Sequence, residues 1–416
     1  MNRLLTLLAV IALGGCSGAG TGLLGAVSPS SGMSAVARHA SDSTSASPGE
    51  NPSGLPGENP SGLPGENPSG LPGENPTGLP GATFACTGIP TTGNAACTIA
   101  INLNIAPNPA QTQPASQIAG LHPSDLQAAY GLPASNPGGL VAIVDAYDDP
   151  GAEADLAVYR AAFGLPPCTS ANGCFRKIGA KGDGTLPAPN AAWAEETALD
   201  LDMVSAGCPK CSIVLVEASS ASLDDLGAAV DTAAAQGPVA ISNSYYAVEW
   251  SSEQTEDVHY RHAGIAITAS SGDRGYPSYP AASPFVTSVG GTSLAASSGG
   301  WTQNPWQYTG HGCSAYVRRP AWQTGTSCGG ARSAVDVAAV ADPQTGVATF
   351  DAEAGGWYVA GGTSVGAPLV AAAYALSGHP AGPQFSYARP SAFRPVGGSG
   401  YQAVTGLGTP QGVTGL

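Results

Sequence analysis

The chain has 416 residues, of which 43% are hydrophobic and only 10% charged, enough apolar material for one large domain with appendages. Its formal net charge of −15 argues against nucleic acid and anionic surfaces as partners. Sparse charge also limits self-repulsion once carboxylates protonate, so acid surroundings are tolerable.

Met1-Asn2-Arg3 is a short positive segment, and the apolar run from Leu4 to Leu13 is too short to span a membrane. Leu13-Gly14-Gly15-Cys16 then resembles a bacterial lipobox, so residues 1–16 read as a lipoprotein-type signal. Cleavage before Cys16 and its lipidation would anchor the protein to a bacterial membrane. An ordinary secretory signal with a nearby cleavage site is the alternative. Residues 17–82 carry the repeat Pro-Gly-Glu-Asn-Pro-Ser-Gly-Leu from Pro48 to Leu79, the last copy with Thr77 for Ser. Pro and Gly exclude helix and sheet, and one leucine per repeat offers little burial. A disordered, semi-extended spacer is expected. Residues 83–116 hold Cys86, Cys97 and the alternating run Thr98-Ile-Ala-Ile-Asn-Leu-Asn-Ile, which reads as a small hairpin.

Apart from Cys16, eight cysteines form four local pairs: Cys86/Cys97, Cys168/Cys174, Cys208/Cys211 and Cys313/Cys328. An even set in an exported chain reads as disulfides. Cys208-Pro-Lys-Cys211 could instead be a redox or zinc motif. No second pair lies near it, which favours a structural disulfide.

From Leu121 the pattern alternates. In chain order the expected elements are a strand at 139–145, helices at 151–163 and 193–206, and a strand at 212–217. A helix at 222–236, a strand at 238–243, a helix at 251–263 and a strand at 265–270 follow. The last pair is a strand at 356–360 and a helix at 364–377. This alternation predicts an α/β fold with a mainly parallel central sheet flanked by helices. Active residues then belong at strand carboxyl ends and helix N-termini.

Two segments carry chemistry. On the helix 193–206, Trp193, Glu196, Asp200 and Met203 fall on one stripe, and Glu196 and Asp200 stand at i,i+4, where their carboxyls can touch. Touching carboxylates share a proton, which raises one pKa. The competing reading is a solvated acidic face with Glu195 and Asp202 as surface charges. In Gly361-Gly362-Thr363-Ser364-Val365-Gly366-Ala367-Pro368, a serine sits at a helix N-terminus, where free N–H groups favour an oxyanion. Alone, it is more simply an N-cap.

Together, Glu-x-x-x-Asp upstream and Gly-Thr-Ser-x-x-x-Pro downstream resemble the sedolisin family of serine-carboxyl peptidases. The stretches Ile265–Asp273, Tyr279–Thr292, Arg332–Pro343 and Thr405–Pro410 fit the same pattern, so the resemblance covers about residues 120–416. It implies a subtilisin-like fold in a peptidase domain spanning 117–416. It also implies that Ser364 is the nucleophile, Glu196 the general base, Asp200 the residue that orients Glu196, and Asp273 a protonated donor to the oxyanion. Asp145, closing the strand 141–145, occupies the place of a further acid, or simply binds loop N–H groups. A protonated carboxyl donates only below its pKa, so such a site works in acid. On that face Glu195→Ala and Asp202→Ala are expected to cost little.

A subtilisin-type enzyme with a catalytic histidine is the rival, but His39, His122, His259, His262, His311 and His379 lack the setting it needs. His259 and His262, at i,i+3, suggest a metal site only weakly, and a solvated face suits them better. Family members also bind calcium near the C-terminus. Here the matching positions are Pro395-Val396 and Gly398-Ser-Gly400-Tyr-Gln402, without either aspartate, so no cofactor is expected. The large folded prosegment usual in relatives is absent from residues 17–116. The whole reads as a monomeric, exported endopeptidase on protein or peptide substrates, lipid-anchored or secreted. The alternative is an inactive surface-binding lipoprotein on the same scaffold.

Overall fold

The computed structural model describes residues 79–379 and 382–416. The signal segment, Cys16 and the repeats before Leu79 lie outside these described residues. Three short strands come first: β1 (Ala82–Phe84), β2 (Ala96–Cys97) and β3 (Ala100–Asn102). Next come α1 (Pro123–Tyr130), β4 (Leu140–Ala146), α2 (Ala152–Ala162), β5 (Phe175–Gly179) and α3 (Ala191–Gly207). The chain continues through β6 (Ser212–Ala218), α4 (Leu223–Ala235), β7 (Ala240–Asn243), β8 (Tyr245–Val248), β9 (Ala266–Ser270) and β10 (Ser278–Tyr279). After β11 (Thr287–Ser297) and β12 (Gly300–Pro305) lie β13 (Cys313–Arg318), β14 (Ala331–Ser333) and β15 (Val337–Val340). β16 (Val347–Asp351), β17 (Gly356–Gly361) and α5 (Gly366–Ser377) lead toward the C-terminus.

Continuous apolar runs such as Val141-Ala-Ile-Val144 and Ile213-Val-Leu-Val216 are buried along their whole length. That is the signature of a parallel strand covered on both faces. The central sheet runs β12-β11-β9-β7-β4-β6-β5, with β15 also on β11. Only β11–β12 is antiparallel; the other pairs are parallel. α3 is buried from Glu196 to Gly207 on every side, packed among α1, α2, α5 and β16. A helix in that position has no solvent face on which to place charge.

The expected helix at 251–263 is a 3-10 run, Glu253–Tyr260. Its only buried residues are Glu253 and Tyr260, at the two ends, and the Glu253 carboxylate turns back to accept from Trp250 N–H at 2.9 Å. Too little packed surface exists to draw it into an α-helix. The expected hairpin at 83–116 exists as β1 paired with β3, but it does not stand apart. β3 also pairs with β17, and β2 pairs with β8.

The disulfides are Cys86–Cys97, Cys168–Cys174, Cys208–Cys211 and Cys313–Cys328. Cys208 and Cys211 are fully buried, a structural crosslink rather than a zinc or redox site. Behind the sheet, the Arg332 guanidinium grips the Asp336 carboxylate at 2.8 and 2.6 Å, both side chains inaccessible to water. Removing the guanidinium leaves a buried carboxylate unpaired. Arg332→Ala should therefore lower unfolding free energy by about 3–5 kcal/mol in urea titration; a loss under about 1 kcal/mol would mean the pair is idle.

Candidate active site

The parallel sheet delivers most of the site at its carboxyl edge. Asp145 is the penultimate residue of β4, Ser244 follows β7, Ser270 closes β9, and Asp273 comes three residues later. This is where open α/β sheets place their ligands. β17 brings the chain to Gly362, with φ of 92°. There a Cβ would collide with the Thr98 carbonyl oxygen and crowd Asp273 Oδ2, so only glycine fits. Ser364 sits in the single 3-10 turn Thr363–Val365 that runs into α5. α3, its N-terminus capped by Asn190 Oδ1 accepting from Trp193 N–H at 3.2 Å, carries Glu196 and Asp200 inward.

All these groups lie out of water: Ser364, Glu196, Asp200 and Asp145 are 0% exposed and Asp273 is 1% exposed. Asp273 Oδ1 accepts from the Thr363 N–H at 2.9 Å and the Thr363 hydroxyl at 2.8 Å, while Oδ2 has no partner. Burial pushes its pKa up to about 7 against the opposing pull of the Thr363 donors and Arg274. A free, protonatable oxygen therefore faces the turn that carries Ser364.

Glu196 Oε2 accepts from the Thr98 N–H at 2.9 Å and Oε1 is unpartnered. Burial first, and then the charge of Asp145, raise its pKa well above the usual carboxylate range; the Ser364 hydroxyl and the Thr98 N–H pull the other way. Asp200 Oδ1 accepts from the Ser244 hydroxyl at 2.7 Å, and burial, Asp145 and Glu196 raise its pKa likewise. Asp145 Oδ2 accepts from the Thr197 hydroxyl at 3.2 Å, and burial takes its pKa to about 7. The charge of Glu196 thus bears on Asp200. Asp145 is the strongest electrostatic neighbour of both. The acid pair is a trio.

The largest surprise is Thr98. Its hydroxyl lies 2.6 Å from Ser364 Oγ and 2.9 Å from Ser270 Oγ, while its N–H holds Glu196. Sequence reasoning missed Thr98, Ser244, Ser270 and Thr363. Ser244 and Ser270 could have been found from their place just at or after strand ends. Thr98 carries no local signal, because its role depends on contacts 98 and 266 residues away.

Other expectations resolve differently. His259 and His262 both meet Asp231, at 2.7 and 3.2 Å. Among the described residues no cluster of three His, Cys, Asp or Glu side chains is arranged to hold a metal ion. At the position matching the calcium loop, Gln402 Nε2 donates to the Ser399 carbonyl at 3.1 Å, so the loop satisfies one of its own oxygens. Asp202 is not a surface charge: it is 1% exposed and accepts from the Phe350 N–H at 3.1 Å. Asp202→Ala would strand that N–H inside the core, so the small cost expected on the sequence does not apply to it.

No family model matches the chain. It is 31% identical over 198 residues to kumamolisin of Bacillus sp. (strain MN-32), a stretch covering 36% of this chain and 35% of that protein. The chain thus matches about a third of the length of that curated relative. Among solved structures it is similar to Pseudomonas sedolisin, a serine-carboxyl proteinase complexed with two molecules of pseudo-iodotyrostatin. The TM-score is 0.61 at 23% identity, covering 71% of this chain and 96% of that one. A lanthipeptide protease aligns with a TM-score of 0.48 at 14% identity. The likeness to sedolisin shows the fold of this chain to be subtilisin-like, a mainly parallel sheet flanked by helices.

Burial raises further carboxyls outside the trio, Asp149 and Glu195 to about 7 and Asp155 to about 6. A carboxyl with a raised folded pKa holds more protons folded than unfolded, so it stabilises the fold below about pH 4, its unfolded value, and loses that contribution as pH climbs through about 7. Thermal melts should accordingly show Tm falling steadily from pH 4 to pH 8. A Tm higher at pH 8 than at pH 4 would mean these groups are ionised in the folded protein.

Proposed function

We propose that the chain belongs to the sedolisin family and is a serine-carboxyl endopeptidase. The observation that carries this reading is the convergence of Ser364, the Glu196/Asp200/Asp145 trio and the unpartnered Asp273 oxygen around an extended peptide strand. That strand already offers an N–H to Glu196. The partial identity to kumamolisin and the shared fold with sedolisin support it.

In the proposed reaction Ser364 Oγ attacks the substrate carbonyl carbon and its proton passes to Glu196. Three carboxyls so close cannot all ionise, and the charge they do hold supplies the base. Asp200 and Asp145 bias where that charge resides. The carbonyl oxygen becomes an oxyanion facing Asp273, whose protonated Oδ2 donates to it. Glu196 returns the proton to the leaving amine. Water then repeats the sequence on the acyl group of Ser364 and frees the acid product. Keeping all five groups in water-free positions is costly for a scaffold that only binds, which disfavours the inactive lipoprotein.

The substrate is a protein or peptide in extended form, since the chain's own β2 and β3 lie extended along the edges of β8 and β17. Four disulfides suit an oxidising compartment outside the cytosol. Among the described residues no helix is long and apolar enough to cross a membrane. Attachment through a lipid on Cys16 is part of this proposal, as is a monomeric state. So is independence from calcium, because Pro395 and Gln402 supply no carboxylate to offset dehydration of a divalent cation.

Digestion of a denatured protein in long incubations across pH 2–8 tests the reaction. Activity should be greatest below about pH 5 and fade as pH rises through about 7, where Asp273 loses its proton. Ser364→Ala and Glu196→Ala should each reduce kcat by at least roughly a thousandfold. A maximum at neutral pH or above would remove Asp273 as a proton-bearing donor. Independently, thermal melts in chelator and in millimolar calcium should coincide; a gap of several degrees would show that other oxygens rebuild the site.

A further inference from the structure

The strand that meets Ser364 belongs to the chain itself. Thr98 occupies both the nucleophile, through its hydroxyl, and the base, through its N–H. Ile99 and Ala100 are 0% exposed and Thr98 is 1% exposed, so this piece fills the groove completely. On one side β2 pairs with β8, Ala96 with Tyr246 and Cys97 with Tyr245. On the other β3 pairs with β17, Ile101 with Ala360 and Ala100 with Gly361. A substrate peptide would need these same two edges. No substrate carbonyl can approach Ser364 while residues 96–101 are in place.

The Cys86–Cys97 disulfide decides how that strand can leave. It joins the second residue after β1 to the last residue of β2. With the bond intact, lifting Thr98 off Ser364 pulls on β1 as well. β1 is held by three residue pairs with β3, by Ala85 N–H on the Ile99 carbonyl at 3.3 Å, and by Arg274 stacked 4.1 Å over Phe84. β3 in turn is pinned by Asn102 Nδ2 on the Pro343 carbonyl at 2.8 Å. With the bond open, β2 and Thr98 part from β8, from the Ala221 carbonyl that takes the Ala95 N–H at 2.8 Å, from the bridge between Asn94 and Ser222 beside the Leu223 N–H on the Gly93 carbonyl at 2.9 Å, and from the catalytic groups, while β1 and β3 stay in place.

We propose that residues 94–98 are a gate across the active site, hinged where they enter β3, locked by the Cys86–Cys97 disulfide and released by its reduction. The proposal rests on the peptidase reading for what is gated. Cys86 is only half-buried whereas Cys97 is 2% exposed, so a thiol reductant reaches the Cys86 sulfur. Its thiolate bonds to Cys86 Sγ and Cys97 leaves as a thiolate that takes up a proton. A second thiol then displaces Cys86, so two electrons pass to the protein and the reductant leaves as its disulfide.

The full-length chain is compared with Cys86→Ser/Cys97→Ser and with Thr98→Gly, which loosens the strand while keeping the disulfide. Two quantities are read at one fixed pH: amide hydrogen exchange of the peptide spanning residues 95–102, and covalent labelling of Ser364 by a fluorophosphonate probe. The double serine variant should exchange and label faster by on the order of a hundredfold, the effect of freeing a loop of this length. Thr98→Gly should label faster than the natural chain even if the double variant does not fold. Equal exchange in the natural chain and the double variant would overturn the lock. Faster exchange in Thr98→Gly with Ser364 labelled in both proteins at the same rate would overturn the gate. Faster exchange with no labelling in any form leaves the gate standing and removes the peptidase reading instead.

Discussion

The structure depends on keeping carboxyl groups away from water. Asp145, Glu196 and Asp200 meet inside the body of the protein with one neutral hydrogen-bond donor or two apiece and no cation hydrogen-bonded to them. Ionising all three there is prohibitive, so the fold keeps the trio partly protonated. The same condition raises the pKa of Asp273, so on the proposed mechanism site chemistry and global stability would respond to pH in the same direction. The contrast with Asp336 is instructive: equally buried, it has Arg332 to hold its charge and serves structure alone.

Much of this was legible in the sequence. Apolar runs of β-branched residues gave β4, β6 and β9 within a residue or two, because a strand covered on both faces has no polar face to blur the signal. The i,i+4 spacing of Glu196 and Asp200 is a covalent fact once the helix forms, and the glycine-rich turn before Ser364 marks a close approach. What was not legible came from contacts distant in sequence. Asp202 shares a helix with Asp200 and reads as a solvated charge, until β16 covers it. Asp145 reads as a strand-end anchor, until α3 brings two more acids against it. The polar, glycine-rich stretch from 292 to 333 folds into β12, β13 and β14 without a clear period of its own. The run Thr98–Ile101 shows its alternation plainly, yet nothing local says that the groove it fills is the active one.

Because β3 is paired on both sides, by β1 and by β17, and β2 covers β8, the closed molecule buries backbone edges that would otherwise be open. Departure of β2 would uncover a row of unsatisfied N–H and C=O groups along β8, and an exposed edge is a template for any extended chain. A neighbouring copy carries a strand of the matching sequence and register. At high concentration an opened population is thereby driven toward reciprocal strand exchange between molecules, so dilution favours solitary opened proteins and crowding favours entangled pairs.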